Sequence, residues 1–536
     1  IDWAREGVES DTPGSMDERS YGPRWMGPML GLVVMGAGLA AAELVVGLFE
    51  RTSSPVVPVG QVFNDWVPRP LKDWAIETFG TNDKVVLVLG ALIVLLGIGI
   101  GVGVLAMRGA RAAAVAVTCI TGVIGAWAVL TRPEPTLVKL LPTIVGTAVS
   151  VGVLVYLAPR PATSSTTSGE PSPAVAQPMG VDRRRFVGGA IGIGSVAVIA
   201  GGAGRLLQQR FEVNSERSAL RLPAVDTPAT VLPADAQLPL DGLDPFVTPN
   251  ADFYRIDTAL VVPQVSKDSW RLKIGGMVDN PMELTFDDLL ARPQIERYIT
   301  LSCVSNPIGG DLVGNALWQG VLLRDVLEEA GVQPGATQIV SRSIDDWTAG
   351  TPTEIVMDGR DAMLAIAMNG EPLPARHGYP VRMVVPGLYG YVSATKWVTQ
   401  IELTRWEDYD AYWVPRGWSK EGPIKTMSRI DTDRRAATSG EVIVGGVAWA
   451  IHRGISRVEV RSDGGEWIEA QLGGVPSNDT WAQWMVTLEL EPGRHMIESR
   501  GGGGAGGPPP PETAPRAPPR APGDTPPGGE LGCGGG

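Results

Sequence analysis

Over the first two hundred residues the hydrophobic positions form long unbroken runs, and beyond them they fall into short alternating or helical bursts separated by polar turns. The runs 28–49, 85–107, 112–130 and 137–158 each supply the roughly 20 apolar residues with which a helix crosses a bilayer core. They predict a transmembrane α-helical region at 27–158 after a cytoplasmic N-terminus at 1–26, with Met16 as the expected start of the natural chain. A further run, 186–204, is rich in Gly and follows Arg183, Arg184 and Arg185, so 183–205 reads as a fifth transmembrane helix or an export-signal-like anchor. The arginines resemble a twin-arginine export signal and fit plain positive-inside anchoring equally well.

Basic residues are retained on the cytoplasmic side, which orients the spans. Arg108 and Arg111, and Arg160 with Arg183 to Arg185, place their loops inside; 50–84 and 131–136, where acidic residues offset the basic ones, go outside. Five crossings then put everything after residue 205 outside the cytoplasm. Glu43 and Lys139 are the charges within spans. Glu43, close to a helix end, reads either as a functional carboxylate or as a tolerated interhelical group.

Residues 159–182 have the Pro, Ser and Thr content of a linker. From about 250 to 410 strands and helices mix. SWRLKIGG (269–276) alternates as a strand, LTFDDLLAR (284–292) is a helix capped by Thr285, and VLLRDVLEEAGV is a helix ended by Gly331. Further strands are expected in RYITLSCVS, TQIVSRS, YPVRMVVPG and KWVTQIELTRW. An α+β domain at 206–430 is the natural reading. In 431–500, short strands separated by turns such as SDGG and EPGR predict an immunoglobulin-like β-sandwich. The tail, 501–536, is Gly and Pro almost throughout; it is expected to be disordered, and it starts abruptly enough to suggest out-of-frame translation replacing a final strand.

A formal net charge of −13 argues against a nucleic-acid surface, which needs a clustered excess of Lys and Arg. The cysteines, Cys119, Cys303 and Cys533, lie too far apart for a disulfide framework or a CxxC metal site. The histidines, His377, His452 and His495, all follow residue 370, which rules out a bis-His haem within the apolar segments. Cys303, in LSCVSNPIGG, is the chemically conspicuous residue, on a strand end that runs into a Gly-containing loop. Physical chemistry allows it to be a buried core cysteine, a nucleophile paired with His377, or a thiolate ligand of a metal whose other ligands belong to a cofactor.

The run from Phe253 to about Tyr412 resembles the molybdopterin-binding domain of the sulfite oxidase family, and 432–500 resembles that family's dimerisation domain. The resemblance rests on NADFYRIDTAL, SWRLKIGGMVDNPMELTFDDLL, LSCVSNPIGG with NALWQGVLLRDVLEEAG, NGEPLPARHGYPVRMVVPGLYGY with KW, and GVAWAIHRGISRVEVRSDGGEW. It implies a molybdopterin (Mo) cofactor with Cys303 as the protein's metal ligand. His377, Arg382 and Lys396 would contact the pterin and its phosphate, Tyr254 and Arg255 would line the cofactor, and Asp346 or Asp345 would accept from pterin N–H groups. Arg255 is also expected to be catalytic.

Two departures weaken an anion pocket: Ile308 stands where sulfite-oxidising members carry a substrate-binding arginine, and Ile366 stands for a tyrosine near the metal. The expectation is therefore an extracytoplasmic, membrane-anchored oxidoreductase transferring an oxygen atom to or from a small substrate, with sulfite disfavoured and an S-oxide or N-oxide reductase as the alternative. The chain has no CxxCH haem motif and no iron–sulfur cysteine set, so a separate haem protein or quinone-linked subunit is the expected electron partner, and a homodimer is implied. A cofactor-free membrane receptor or assembly protein is the rival of another class.

Overall fold

The computed structural model describes residues 23–49, 54–68, 71, 74–75, 78–79, 83–132, 136–159, 183–208, 212–432, 440–503 and 529–533. The expected start at Met16, nearly all of the 159–182 linker and most of the Gly/Pro tail lie outside them. The chain divides into two compact units, Ile1–Glu212 and Val213–Gly536.

In the first unit the long helices are α1 (Met26–Leu48), α3 (Asp83–Met107), α4 (Arg111–Leu130), α5 (Leu137–Leu157) and α6 (Arg183–Gln208), with a short α2 (Val56–Trp66) between the first two. All except α2 are long and apolar enough to cross a membrane. Lipid offers no hydrophobic drive for helices to associate, so close packing needs small residues where backbones meet. Here α1 and α3 touch through glycine: a Cβ on Gly31 would lie 1.8 Å from Gly99 O, and one on Gly103 2.0 Å from Gly27 O. Buried Ser150 of α5 donates to Val34 O of α1 at 3.2 Å. Glu43 accepts from Gln208 Nε2 at 3.0 Å, which makes it a group joining α1 to α6. Asp65 of α2 pairs with Arg132, just past the end of α4, at 3.0 Å, so α2 meets the C-terminal end of α4.

The second unit begins with an α+β domain of two five-stranded sheets. One runs Met282–Thr285, Arg271–Gly276, Val398–Thr404, Gln338–Ser343, Thr348–Pro352; the other runs Ile295–Ser302, Val313–Leu322, Met363–Met368, Glu371–Pro372, with Arg382–Val384 also paired to Met363–Met368. The helix Phe286–Leu290 starts with a capping box: Thr285 accepts from Asp288 N at 3.1 Å and Asp288 accepts from Thr285 N at 2.8 Å. Helix Leu323–Ala330 stops at Gly331, whose φ of 71° suits glycine. Both follow the sequence reading.

A β-sandwich of two four-stranded sheets follows, closed over Val442, Val444, Val458, Val460, Trp484 and Ile497. It is tied to the α+β domain by Trp481, which donates through Nε1 to Phe246 O and through its backbone N to Thr300 Oγ1, both at 2.9 Å. The expectation of a disordered tail from 501 is corrected at both ends. The strand Gly493–Gly503 runs beyond it, and Gly529–Cys533 pairs antiparallel with Gly493–Ile497. A β-ladder is built from backbone groups, so glycine can join one where no side chain packs.

Candidate functional site

Strand Ile295–Ser302 ends one residue before Cys303, and the turn that follows is closed by Asn306, whose Oδ1 accepts from Leu312 N at 2.9 Å. Cys303 is half-buried, and Ser305 N donates to its sulfur at 3.4 Å, a contact that favours the thiolate. The sulfur faces a cavity of ≈ 870 Å³, its open mouth included.

Along one side run the residues of the extended segment 253–258. Tyr254 stacks on Phe253 at 5.2 Å, and burial, reinforced by the negative charge of Cys303, holds its phenol protonated far above the usual range. Asp257 reaches Lys396 Nζ at 3.0 Å. Burial pushes Lys396 down to about 8 against the opposing pull of Asp257. Arg382, on the strand Arg382–Val384, is buried with its guanidinium 4.8 Å over the Trp318 ring, and Nη1 donates to His377 O at 3.2 Å. Burial brings it down to about 10, which leaves it charged near neutrality.

His377 is fully buried behind Phe253, their ring centroids 5.6 Å apart, and its Nε2 lies 3.2 Å from Asn250 O. Burial and then the charges of Lys396, Arg382 and Arg376 lower it to about 3, so the imidazole is neutral. Asp345 also lines the cavity. Its carboxyl is raised above the usual range, chiefly by burial.

Three buried polar atoms here lack a partner: His377 Nδ1, Arg382 Nε and Asp345 Oδ1. An unsatisfied buried donor or acceptor costs about 1–3 kcal/mol, so a cluster of them beside a cavity calls for a polar ligand that supplies both acceptors and donors. A pterin with its phosphate has that mixture, and Cys303 adds a soft ligand for a metal. Among the described residues no group of three or more His, Cys, Asp and Glu could hold a metal by itself.

Tyr254, Cys303, Arg382 and Lys396 thus come together as the sequence predicts, with His377 directly behind. Other placements are corrected. Asp345 rather than Asp346 lines the cavity; Asp346 occupies the turn between two strands with φ of 71° and is not part of the lining. Arg255 is not part of the lining: its guanidinium is taken up by Asp257 at 2.9 and 3.3 Å, so its expected catalytic place becomes that of a partner to Asp257. Ile308 is 60% exposed on the loop after Cys303, and Ile366 is fully buried in the core because the strand Met363–Met368 is covered on both faces. Ile366 is not part of the cavity lining.

Asp257, Trp347, Tyr391, Trp413 and Trp418 also line the cavity and were missed. The run DAYWVPRGW, dense in aromatics between turn residues, was the available signal for the last two.

Residues 259–413 match the family described as the oxidoreductase molybdopterin binding domain. The chain is 37% identical over 164 residues to an uncharacterized oxidoreductase, YuiH, of Bacillus subtilis, covering 31% of this chain and 79% of that protein. It is 30% identical over 304 residues to the mitochondrial sulfite oxidase of Rattus norvegicus, covering 47% of this chain and only 55% of that enzyme. Among solved structures, the sulfane dehydrogenase SoxCD from Paracoccus pantotrophus matches with 27% identity and a TM-score of 0.42, over 48% of this chain and 72% of that one.

Proposed function

Because the chain belongs to the sulfite oxidase family of molybdopterin-binding oxidoreductases, we propose that it is a membrane-anchored enzyme acting outside the cytoplasm on a small substrate. The observation that carries this is the Cys303 sulfur at a cavity beside the unpartnered buried atoms of His377, Arg382 and Asp345. When bound, the molybdenum cofactor supplies two-electron oxygen-atom transfer to or from the substrate.

Cys303 would hold the metal as a thiolate. Arg382 and Lys396 would hold the phosphate and pterin through charge, His377 would add a neutral hydrogen bond, and Asp345 would accept from pterin N–H groups. Asp257 fixes Lys396 and Arg255, and Tyr254 remains a protonated phenol at the wall.

Reduction of an S-oxide or N-oxide is the favoured direction over sulfite oxidation. Arg255 is engaged by Asp257, and Ile308 brings no charge where a substrate arginine is expected, so a sulfite anion finds little to offset its desolvation. Electrons pass through a separate haem protein or quinone-linked subunit, and the sandwich is read as an immunoglobulin-like dimerisation domain.

Metal analysis of the detergent-solubilised full chain tests the enzyme reading. About one molybdenum per chain, lost in Cys303→Ser, is expected; a chain expressed with molybdate that carries none would favour a cofactor-free receptor. A reporter fused after residue 430 tests topology and should be active only in the exported compartment.

A further inference from the structure

Part of the cavity lining is made by aromatic rings from two segments. Tyr391 lies on the short helix Gly390–Ser393, and Trp413 and Trp418 lie on the connection that leaves strand Val398–Thr404. Trp413 and Trp418 meet at 5.3 Å between centroids with a 58° tilt, and Tyr391 meets Trp418 at 5.5 Å and 57°. Rings so close leave no gap between themselves for a guest, so they form a continuous wall and not a cage.

The wall is held rigidly. Tyr391 Oη donates to Ser419 O at 2.9 Å and Glu421 O at 3.2 Å, and Tyr389 N donates to Gly422 O at 2.7 Å. Gly422 lies flat against it: a Cβ there would sit 3.2 Å from the Tyr391 ring and 2.8 Å from Val392. All three rings are only partly buried, so apolar ring surface stays open to the cavity.

Charge in the lining is balanced. The cations are Arg382 and Lys396, the anions Asp257 and Asp345, and Lys396 is already paired with Asp257. On the reading above, Arg382 and Lys396 face the cofactor. An anionic substrate would then give up its hydration with no cation to receive it, whereas a flat neutral group loses little and gains ring contact.

Resting on that reading, we propose that Tyr391, Trp413 and Trp418 form the substrate subsite and that it selects neutral molecules bearing an aryl group next to the oxidised or oxidisable atom. Tyr391 and its bonds to Ser419 and Glu421 position the wall, while Trp413 and Trp418 supply the contact.

The test is calorimetric titration of the solubilised full chain, its molybdenum content measured in parallel, with methyl phenyl sulfoxide, dimethyl sulfoxide and sulfite. Methyl phenyl sulfoxide should bind at least about tenfold more tightly than dimethyl sulfoxide, and sulfite most weakly. Trp413→Leu and Trp418→Leu should each weaken methyl phenyl sulfoxide about fivefold while changing dimethyl sulfoxide less than about twofold, and Trp418→Phe should retain most of the affinity. Equal binding of the two sulfoxides by the unaltered chain overturns the proposal, and this needs no variant to fold. So does sulfite as the tightest ligand, or an unchanged affinity in folded leucine variants. A chain without molybdenum that still prefers the aryl sulfoxide through these tryptophans refutes the enzyme reading and upholds the subsite.

Discussion

Asp257 Oδ2 lies 3.0 Å from Lys396 Nζ with both side chains under 10% exposed, at 6% and 9%, so a buried ion pair braces the wall of the cavity. Its partners reach it from distant parts of the chain, an extended segment and the end of a loop before a strand. Removing one charge strands the other, which costs about 3–5 kcal/mol at buried pairs, whereas removing both together costs far less. Asp257→Asn should therefore lower the urea stability of the second unit by about 3 kcal/mol, and Asp257→Asn with Lys396→Met should recover more than half of that. A double variant no more stable than the single would mean that the pair is not coupled.

The neutral, buried His377 makes stability depend on pH. Its native value, lowered to about 3 from 6.5, means that the unfolded chain binds a proton over that interval which the folded chain refuses. Stability from this group is complete above 6.5 and is lost as pH falls toward 3, at about 1.4 kcal/mol per pH unit. Between pH 7.5 and 5 the cofactor-free chain should lose about 2 kcal/mol by this route, and His377→Gln should flatten the urea midpoint against pH over the same range. Parallel curves for the two proteins would contradict it.

Cys303 contributes little to the fold. It is half-buried at a strand end, and Ser305 N donates to its sulfur at 3.4 Å. Cys303→Ser should abolish molybdenum binding while shifting the thermal midpoint of the cofactor-free chain by less than about 2 °C. A drop of 10 °C would return the residue to the status of a core cysteine.

In the helical unit the contact of α1 with α3 depends on the absence of side chains at Gly31 and Gly103. Gly103→Val places carbon against the backbone at Gly27 and must drive the helices apart. Solubilised variant protein should aggregate at a lower temperature than the parent, whereas Gly101→Val, on a face with nothing within 4 Å, should not.

Much of this molecule follows from local pattern. Unbroken apolar runs specify membrane-length helices because length and hydropathy are properties of a single segment, and Thr285 and Gly331 bound their helices through neighbouring backbone groups. That Cys303, Arg382 and Lys396 line one cavity was legible through their motifs. What the tertiary structure alone decided concerns direction. A turn at Asp346 hands the cavity to Asp345, and Asp257 draws Arg255 away from it. A strand covered on both faces buries Ile366, and the loop after 404 folds back to bring Trp413 and Trp418 against Tyr391. Each of these depends on which way a side chain points and on what distant segment meets it. Neither is encoded in the spacing of residues along the chain.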